Sequence, residues 1–353
     1  MNRNRARLIA LGTIVVIIGL VLAMSSLLHP GVSIVRADVV PSNLATAAAF
    51  LPDSLVYSSD QQLLTYSYTD GTSKAISPIG PSSGLSGNDS LSVSADHAYV
   101  LFHNGQAVPG GLLSQQLAKQ HLDPSQDYWW LYTVSTQQFY ALPAGTLLAR
   151  LGNGTVYTLS RINNSSLITS YDVHSLTPKS STQTVASSDF LATSSGFVLQ
   201  SITGQLLFTQ NGETSRVLAN KATLVGVTAD QTVMASVTSP SDTALEAINL
   251  ATGSKKVIAH HVSGAAAWLA SGSVLYQTNS GPLNSNVLPS FFVYDAVAKK
   301  NMVWHIHSGL LNTNNVSYNV VALLSSHAAV ISDNLGNYYL CGDQTLHVTK
   351  LSE

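Results

Sequence analysis

Charged residues are scarce in this chain of 353 residues. Asp, Glu, Lys and Arg together make up 10% of it, against roughly 25% in an average soluble protein. A content this low excludes coiled coils, long exposed helical bundles and charged disordered tails. Glutamate occurs at Glu213, Glu246 and Glu353 alone, which argues against catalytic or metal sites rich in carboxylates. Hydrophobic residues at 45% are ample for a large core, so global disorder is excluded as well.

Cysteine is nearly absent, and basic residues are unevenly placed. Cys341 is the single cysteine, which excludes an intramolecular disulfide framework or a thiolate metal cluster, and we expect it to be buried and inert. The formal net charge is −2, but the first 37 residues hold four arginines and no acidic residue. The rest of the chain carries 12 basic and 18 acidic residues, a net charge of −6. A surface of this sign excludes nucleic acid as a partner.

The amino terminus carries a long apolar run. Residues 8–28 are uncharged and would span about 31 Å as a helix, which matches the hydrocarbon core of a bilayer. Three arginines precede the run, and the positive-inside rule places residues 1–7 in the cytoplasm. A cleaved signal peptide ending at Ala37 is the alternative, but the run exceeds the usual h-region of about 7–15 residues. We therefore expect an uncleaved single-pass anchor in the cell membrane, a linker at 29–51 and an extracytoplasmic domain at 52–353.

The remainder of the sequence repeats short alternating apolar segments separated by Ser, Asn, Asp and Gly. Such segments predict short strands and turns. Units of four strands can be placed with first strands near residues 90, 147, 189, 223, 265 and 318, a period of about 40 that is typical of propeller blades. Residues 54–78 supply a further unit. The pattern predicts an all-β propeller of four-stranded antiparallel sheets, with six clear blades and a seventh.

Two kinds of turn carry a family resemblance. Residues 93–99 (VSADHAY) and 227–233 (VTADQTV) resemble the S-x-D-G turn between the first and second strands of a blade, with His97 and Gln231 in place of the glycine. Residues 171–175 (YDVHS) and 248–253 (INLATG) resemble the approach to the fourth strand. In these turns the chain is similar to bacterial TolB-like and WD40-like β-propellers. The resemblance implies a fold and transfers no functional residue.

Two units are longer than the others because of insertions. Residues 103–127 and 279–290 both fall between second and third strands, so both insertions are expected on one face of the propeller. Loops longer than about 12–15 residues are usually functional or disordered, and we interpret this face as the binding surface. Residues 112–121 have helical spacing and predict a short helix. The candidate binding residues are polar and aromatic residues of the insertions and the strand after the first one: His103, Gln116, His121, Trp129, Trp130, Asn284 and Asn286.

The aromatic and histidine pairs each allow two interpretations. Trp129 and Trp130 should point to opposite faces of a strand, either packing between blades or offering a platform for a sugar or a partner side chain. His305 and His307 should point the same way and could begin a metal site with His260 or His261, but zinc needs further ligands. Ordinary surface or interblade histidines are the favoured interpretation.

The sequence favours a binding function. It contains no G-x-S-x-G elbow, H-E-x-x-H helix or P-loop, so no catalytic residue, metal or cofactor is indicated. We expect a membrane-anchored extracytoplasmic propeller that binds a protein or a cell-surface glycan. The alternatives are a propeller enzyme, carbohydrate-active or quinone-dependent, and an accessory subunit of a membrane complex. An enzyme should bring several ionisable side chains together in the central funnel.

Overall fold

A computed structural model describes most of the chain outside its amino-terminal segment. The described residues are 33–36, 48–59, 62–68, 72–78, 91–94, 96–104, 106–210, 215–269, 272–278, 290–304, 318–325, 328–333 and 338–342. Within these ranges, no helix has the length and apolar character needed to cross a membrane. The anchor predicted at residues 8–28 lies outside them.

In the described ranges the chain forms seven antiparallel sheets of four strands. Blade 1 contains β2 (Ala48–Phe50), β3 (Ser54–Ser59), β4 (Gln62–Ser67) and β5 (Ser73–Pro78). Blade 2 contains β6 (Leu91–Val93), β7 (Tyr99–Asn104), β8 (Tyr128–Thr133) and β9 (Gln138–Ala141). Blade 3 contains β10 (Thr146–Gly152), β11 (Thr155–Ile162), β12 (Ser165–Asp172) and β13 (Pro178–Val185). Blade 4 contains β14 (Ser187–Ala192), β15 (Gly196–Ser201), β16 (Leu206–Gln210) and β17 (Arg216–Ala219).

The remaining blades follow the same order. Blade 5 contains β18 (Ala222–Val227), β19 (Thr232–Thr238), β20 (Thr243–Asn249) and β21 (Lys255–Ala259). Blade 6 contains β22 (Val262–Leu269), β23 (Ser273–Thr278), β24 (Ser290–Asp295) and β25 (Lys300–Trp304). Blade 7 contains β26 (Tyr318–Ser325), β27 (Ala328–Asp333), β28 (Tyr338–Gly342) and β1 (Ser33–Arg36). The predicted seven-bladed propeller is confirmed, and the predicted blade starts fall within a few residues of the observed ones.

The strand directions define two faces. Because neighbouring strands are antiparallel, connections from the first to the second strand and from the third to the fourth strand lie at one end of every blade, the turn face. Connections from the second to the third strand and between blades lie at the other end, the insertion face. Residues 103–127 connect β7 to β8, so the first insertion emerges at the insertion face, as predicted. In blade 6, β23 ends and β24 begins at the same face, and residues 279–289 between them lie outside the described residues.

Strand β1 closes the ring. It pairs with β28, with Ser33 opposite Gly342 and Arg36 opposite Tyr339, so the amino-terminal side of the chain completes a blade built otherwise from its last strands. β1 and β2 both lie in residues 29–51, which the sequence interpreted as a linker. That interpretation needs correction, because β-branched Ile34 and Val35 suit a strand and β28 offers them a free edge.

In the part of the chain that the structure describes, buried apolar residues form seven clusters, one between each pair of adjacent blades. Alternate residues of each strand face opposite neighbours, so a single strand contributes to two clusters. Trp130 belongs to the cluster between blades 1 and 2 and Trp129 to the cluster between blades 2 and 3. Sheet-on-sheet packing therefore holds the ring together blade by blade.

The first insertion contains helix α1 (Leu112–Lys119), which confirms the predicted helix. Leu113 and Leu117, one turn apart, are buried in the cluster between blades 1 and 2. The Gln120 side chain holds the end of the helix against β9. Its Nε2 donates to the Phe139 carbonyl at 3.2 Å, and its Oε1 accepts from the backbone amide of Ala141 at 3.1 Å. The insertion is therefore a folded cap on the insertion face.

The turns that carried the family resemblance are built alike. In the first-to-second strand turns, Asp96 accepts from the Ser94 hydroxyl at 2.6 Å and Asp230 accepts from the Thr228 hydroxyl. His97 and Gln231, which replace the family's glycine, both have left-handed backbones, with φ of 57° and 63°. This conformation suits glycine best, because a Cβ atom clashes with the backbone there.

We expect Gln231→Gly to raise the free energy of unfolding by about 0.5–1 kcal/mol. Glycine relieves the strain of the left-handed backbone, which is about 1–2 kcal/mol. Part of this gain is lost because glycine increases the conformational entropy of the unfolded chain. Thr232→Gly, one residue later at the start of an extended strand, should instead cost about 1 kcal/mol. Urea unfolding measures both, and an equal loss in the two variants would contradict the assignment of strain to Gln231.

Candidate functional site

A cavity of about 700 Å³ lies on the axis of the ring, along the first strands of blades 3 to 6. The first strand of each blade is its inner strand, and the fourth is its outer strand. Its size falls within the range of about 300–1,000 Å³ found for small-molecule sites. Eight of its thirteen lining residues have aliphatic or indole side chains, and the others include one ion pair and two hydroxyl side chains; the polar surface of the wall is slightly larger than the apolar surface. The lining residues are Arg150, Asp189, Leu191, Ala192, Thr223, Leu224, Val225, Val227, Ser236, Gly264, Ala265, Ala266 and Trp268.

Irregularities in the inner strands shape this wall. The inner strands of blades 3 to 7 each shift register against their second strand, and such bulges re-aim neighbouring side chains. The residues left unpaired include Val225 in β18 and 264–266 in β22, and all four line the cavity. Regular pairing is therefore interrupted where the strands face the axis.

Arg150 and Asp189 form an ion pair across the boundary of blades 3 and 4. Nη2 and Nε of Arg150 lie 2.6 and 3.1 Å from Oδ1 of Asp189, and the Phe190 amide donates to the same oxygen at 2.6 Å. Among the described residues, Oδ2 of Asp189 has no hydrogen-bond partner. Since both side chains are about one-third exposed, the pair leaves a carboxylate oxygen and part of a guanidinium free to meet a ligand.

Trp268 supplies the aromatic surface of the cavity. Its indole lies directly against Gly226 of the neighbouring blade, so that a Cβ atom on Gly226 would overlap the ring. Trp268 is partly exposed and also packs against the cluster between blades 5 and 6. Gly226 is therefore required by the close approach of the indole.

We expect Gly226→Ala to destabilise the propeller by about 1–3 kcal/mol, the usual cost of forcing extra volume into a packed site. The clash is with the inner atoms of the indole, so a change at the end of the side chain does not relieve it. In a Trp268→Ala background the same substitution should cost far less. Urea unfolding of the four proteins gives the coupling energy, and a cost that is unchanged by removal of Trp268 would contradict the contact.

The predicted binding residues are only partly brought together. His103, at the end of β7, is half-buried, and its ring centroid lies 5.3 Å from that of Trp129. Burial lowers the pKa of His103 below its ordinary value, while Asp127 opposes that shift. Gln116 lies on α1, and His121 is exposed just after it with a left-handed backbone. Asn284 and Asn286 lie outside the described residues.

Trp129 and Trp130 are 4% and 1% exposed. They face opposite blades, as the alternation of side chains along a strand predicts. Both rings pack between blades, as the first of the two interpretations expected. The interpretation as an aromatic platform needs correction, because burial between blades leaves neither ring accessible to a ligand. Of the three tryptophans whose burial the structure describes, Trp268 is the accessible one.

His260 and His261 both face a carboxylate on the insertion face. Nδ1 of His260 lies 2.6 Å from Oδ2 of Asp242, and the backbone amide of His261 donates to Oδ1 at 2.7 Å. The hydrogen bond from His260 holds the pKa of Asp242 below its ordinary value. His305 and His307 lie outside the described residues. Within the described part of the chain, no group of three or more His, Cys, Asp or Glu side chains could hold a metal ion.

The axial residues Arg150, Asp189 and Trp268 were missed by the sequence reasoning. The available signal was a charged residue inside a predicted inner strand, which is unusual in a chain with so few charges. Arg150 ends the segment 147–150 and Asp189 lies at the predicted start of the next unit. Propeller geometry aims such positions at the axis.

No family model and no curated protein matches the sequence. Among solved structures, the propeller domain of the Trilobed protease from Pyrococcus furiosus, described as having an open velcro topology, has a TM-score of 0.56 at 9% identity, over 87% of this chain and 98% of that one. A chain of the mitotic checkpoint complex has a TM-score of 0.52 at 10% identity, over 88% and 94%.

TolB from Acinetobacter baumannii reaches a TM-score of 0.36 at 14% identity, over 73% of this chain and 53% of that one. This value is too low to set TolB apart from other propellers. At such identities, likeness in structure indicates a fold and leaves activity open. The comparisons and the blade topology together show that the described chain is a β-propeller.

Proposed function

We propose that the chain is a binding module whose ligand enters the axial cavity. The composition of the cavity wall carries the proposal: an indole and aliphatic side chains lie beside a few fixed polar groups, and such a combination of contact area and hydrogen-bonding groups is typical of ligand sites. Its two ionisable residues, Arg150 and Asp189, neutralise each other. This supports binding over the enzymatic alternative, which needs several free ionisable groups around one reacting bond.

The chemistry of the wall suits a ligand with an apolar body and a polar end. Trp268 and the aliphatic residues offer contact area, while Oδ2 of Asp189, Thr223 and Ser236 offer hydrogen bonds. The end of a protein segment or a glycan unit from the cell surface has this character. The cavity volume of about 700 Å³ accommodates such an end but not a whole folded partner.

We further propose that residues 8–28 anchor the module in the cell membrane, with the propeller on the extracytoplasmic side. Strand β1 supports the uncleaved anchor. Processing after Ala37 would remove Ser33–Arg36 and leave β28 as an edge strand, paired with β27 alone. A mature protein that keeps β1 has therefore not been processed after Ala37.

The test is capture of ligands by the purified full-length chain, on a glycan array and from a cell-envelope extract. Thr223→Trp would fill the cavity from an exposed position and should abolish specific capture. Ser181→Trp, at an exposed position on the outer strand β13, is the control and should bind normally. Unchanged capture by Thr223→Trp would exclude the cavity as the site.

Deleting the first insertion is a poorer test, because Leu113 and Leu117 belong to the core.

A further inference from the structure

We infer that the outer rim of the turn face on blades 5 and 6 lies against an anionic lipid surface. The inference rests on the proposed anchor and adds the orientation of the propeller on the membrane. The rim consists of two exposed valines and four exposed lysines from adjacent blades: Val257, Val297, Lys255, Lys256, Lys299 and Lys300.

These residues occupy equivalent places in the two blades. Lys255, Lys256 and Val257 are the first three residues of β21, directly after the third-to-fourth strand turn of blade 5. Val297 and Lys299 lie in the corresponding turn of blade 6, and Lys300 begins β25. All six therefore lie at the turn face, at the outer edge of the ring.

The valines are unusually exposed for their position. Val297 is 75% exposed and Val257 is 45% exposed, and Val217, near the start of β17 in blade 4, is 50% exposed. Single exposed apolar residues are ordinary on protein surfaces. Here, however, an exposed valine recurs at the turn-face end of three consecutive blades, each time within two residues of a basic residue. A row of this kind suits the boundary between headgroups and acyl chains.

Within the described ranges, no acidic side chain neutralises the charges of the rim. None of the four lysines forms an ion pair with a described residue. Asp295 is the acidic residue nearest to them in sequence, and its Oδ1 already accepts from the amides of Val297 and Ala298 at 2.9 Å each. The chain beyond residue 37 has a net charge of −6, so this rim reverses the sign of the rest. Clustered lysines beside a membrane anchor are attracted to anionic lipids.

The path of the chain brings the same face to the membrane. β1 runs from the turn face to the insertion face, since Ser33 pairs with Gly342 at the end of β28. Blade 7, which contains β1, adjoins blade 6. Five residue steps separate Leu28 from Ser33 and cover at most about 18 Å. A bilayer that holds residues 8–28 therefore lies close to the turn face, and the insertion face points away from it.

The test uses the full-length chain in vesicles that contain phosphatidylglycerol and nitroxide-labelled headgroups. In a Cys341→Ala background, an environment-sensitive fluorophore is attached at Val297→Cys on the rim or at Ile202→Cys, which is 57% exposed on the insertion face. We expect several-fold stronger quenching at position 297. Equal quenching, or stronger quenching at position 202, would overturn the inference.

A second arm tests the charges. Reversing Lys255, Lys256, Lys299 and Lys300 to Glu should reduce quenching at position 297 several-fold, whereas reversing the exposed Lys119 and Lys221 should leave it unchanged. Vesicles of phosphatidylcholine alone should also reduce it. Undiminished quenching after reversal of the rim would show that its lysines do not hold the lipid surface.

Alkaline carbonate extraction separates the two proposals. A chain anchored through residues 8–28 stays in the membrane fraction in every variant. Release of the wild-type chain would overturn the anchor together with the rim. Retention with equal quenching at the two labelled positions would overturn the rim alone and leave the anchor standing.

Discussion

A chain that begins at Asp38, as processing after Ala37 would leave it, should lose about 2–5 kcal/mol of stability. It lacks β1 and with it four residue pairs of the β1–β28 ladder, and a typical hydrogen bond contributes about 0.5–1.5 kcal/mol net. The exposed edge of β28 would also be open to pairing with other chains. Urea unfolding and light scattering measure both effects.

A chain that begins at His29 is the matched control. It lacks residues 8–28 but keeps β1, and we expect it to unfold at a higher urea concentration than the chain from Asp38 and to remain monomeric. Equal unfolding midpoints for the two chains would mean that β1 contributes nothing to closure. That result would also remove the structural support for an uncleaved anchor.

Trp130→Ala should be the most damaging single substitution in blade 2, at about 3–5 kcal/mol, because deleting a large buried side chain leaves a cavity. Trp130 is 1% exposed, and its ring makes edge contacts with Tyr128 and Phe139 at centroid distances of 6.4 Å. Thermal and urea unfolding give the loss. The ring spans the boundary to blade 1, so cooperativity should fall together with stability.

Trp129→Phe is the informative comparison. Nε1 of Trp129 is buried and has no hydrogen-bond partner among the described residues. Burying an unpaired donor costs about 1–3 kcal/mol, so its removal should offset much of the lost contact and leave stability within about 1 kcal/mol of wild type. A loss as large as that of Trp130→Ala would indicate that the indole nitrogen is satisfied by a bound water.

Much of the fold could be predicted from the sequence because a blade is a local structure. Each unit repeats the same strands and turns within about 40 residues. The turn chemistry is also local: Asp96 and Asp230 accept from a hydroxyl two residues earlier. The insertions were visible as departures from the period, and their common face follows from strand direction alone.

The closure and the axial site could not be predicted, because both depend on contacts between distant segments. β1 is a strand only because β28, some 300 residues later, offers it an edge; alone it resembles a linker. Arg150 meets Asp189, and Trp268 meets Gly226, because the ring places the inner strands of neighbouring blades side by side. The sequence allowed Trp129 and Trp130 as an aromatic platform, but the position of a strand within its blade decides whether an aromatic ring is accessible.

The closing strand also fixes the order in which the molecule can be completed. β1 emerges first during synthesis, but its partner β28 is among the last segments made. Blades 1 to 6 are made of consecutive strands and can form as they appear, whereas blade 7 must wait for a contact between opposite ends of the chain. Contacts of such high sequence separation form slowly, so the final step of folding should be the meeting of β1 and β28. A protein tethered through the segment before β1 would complete that step beside its anchor.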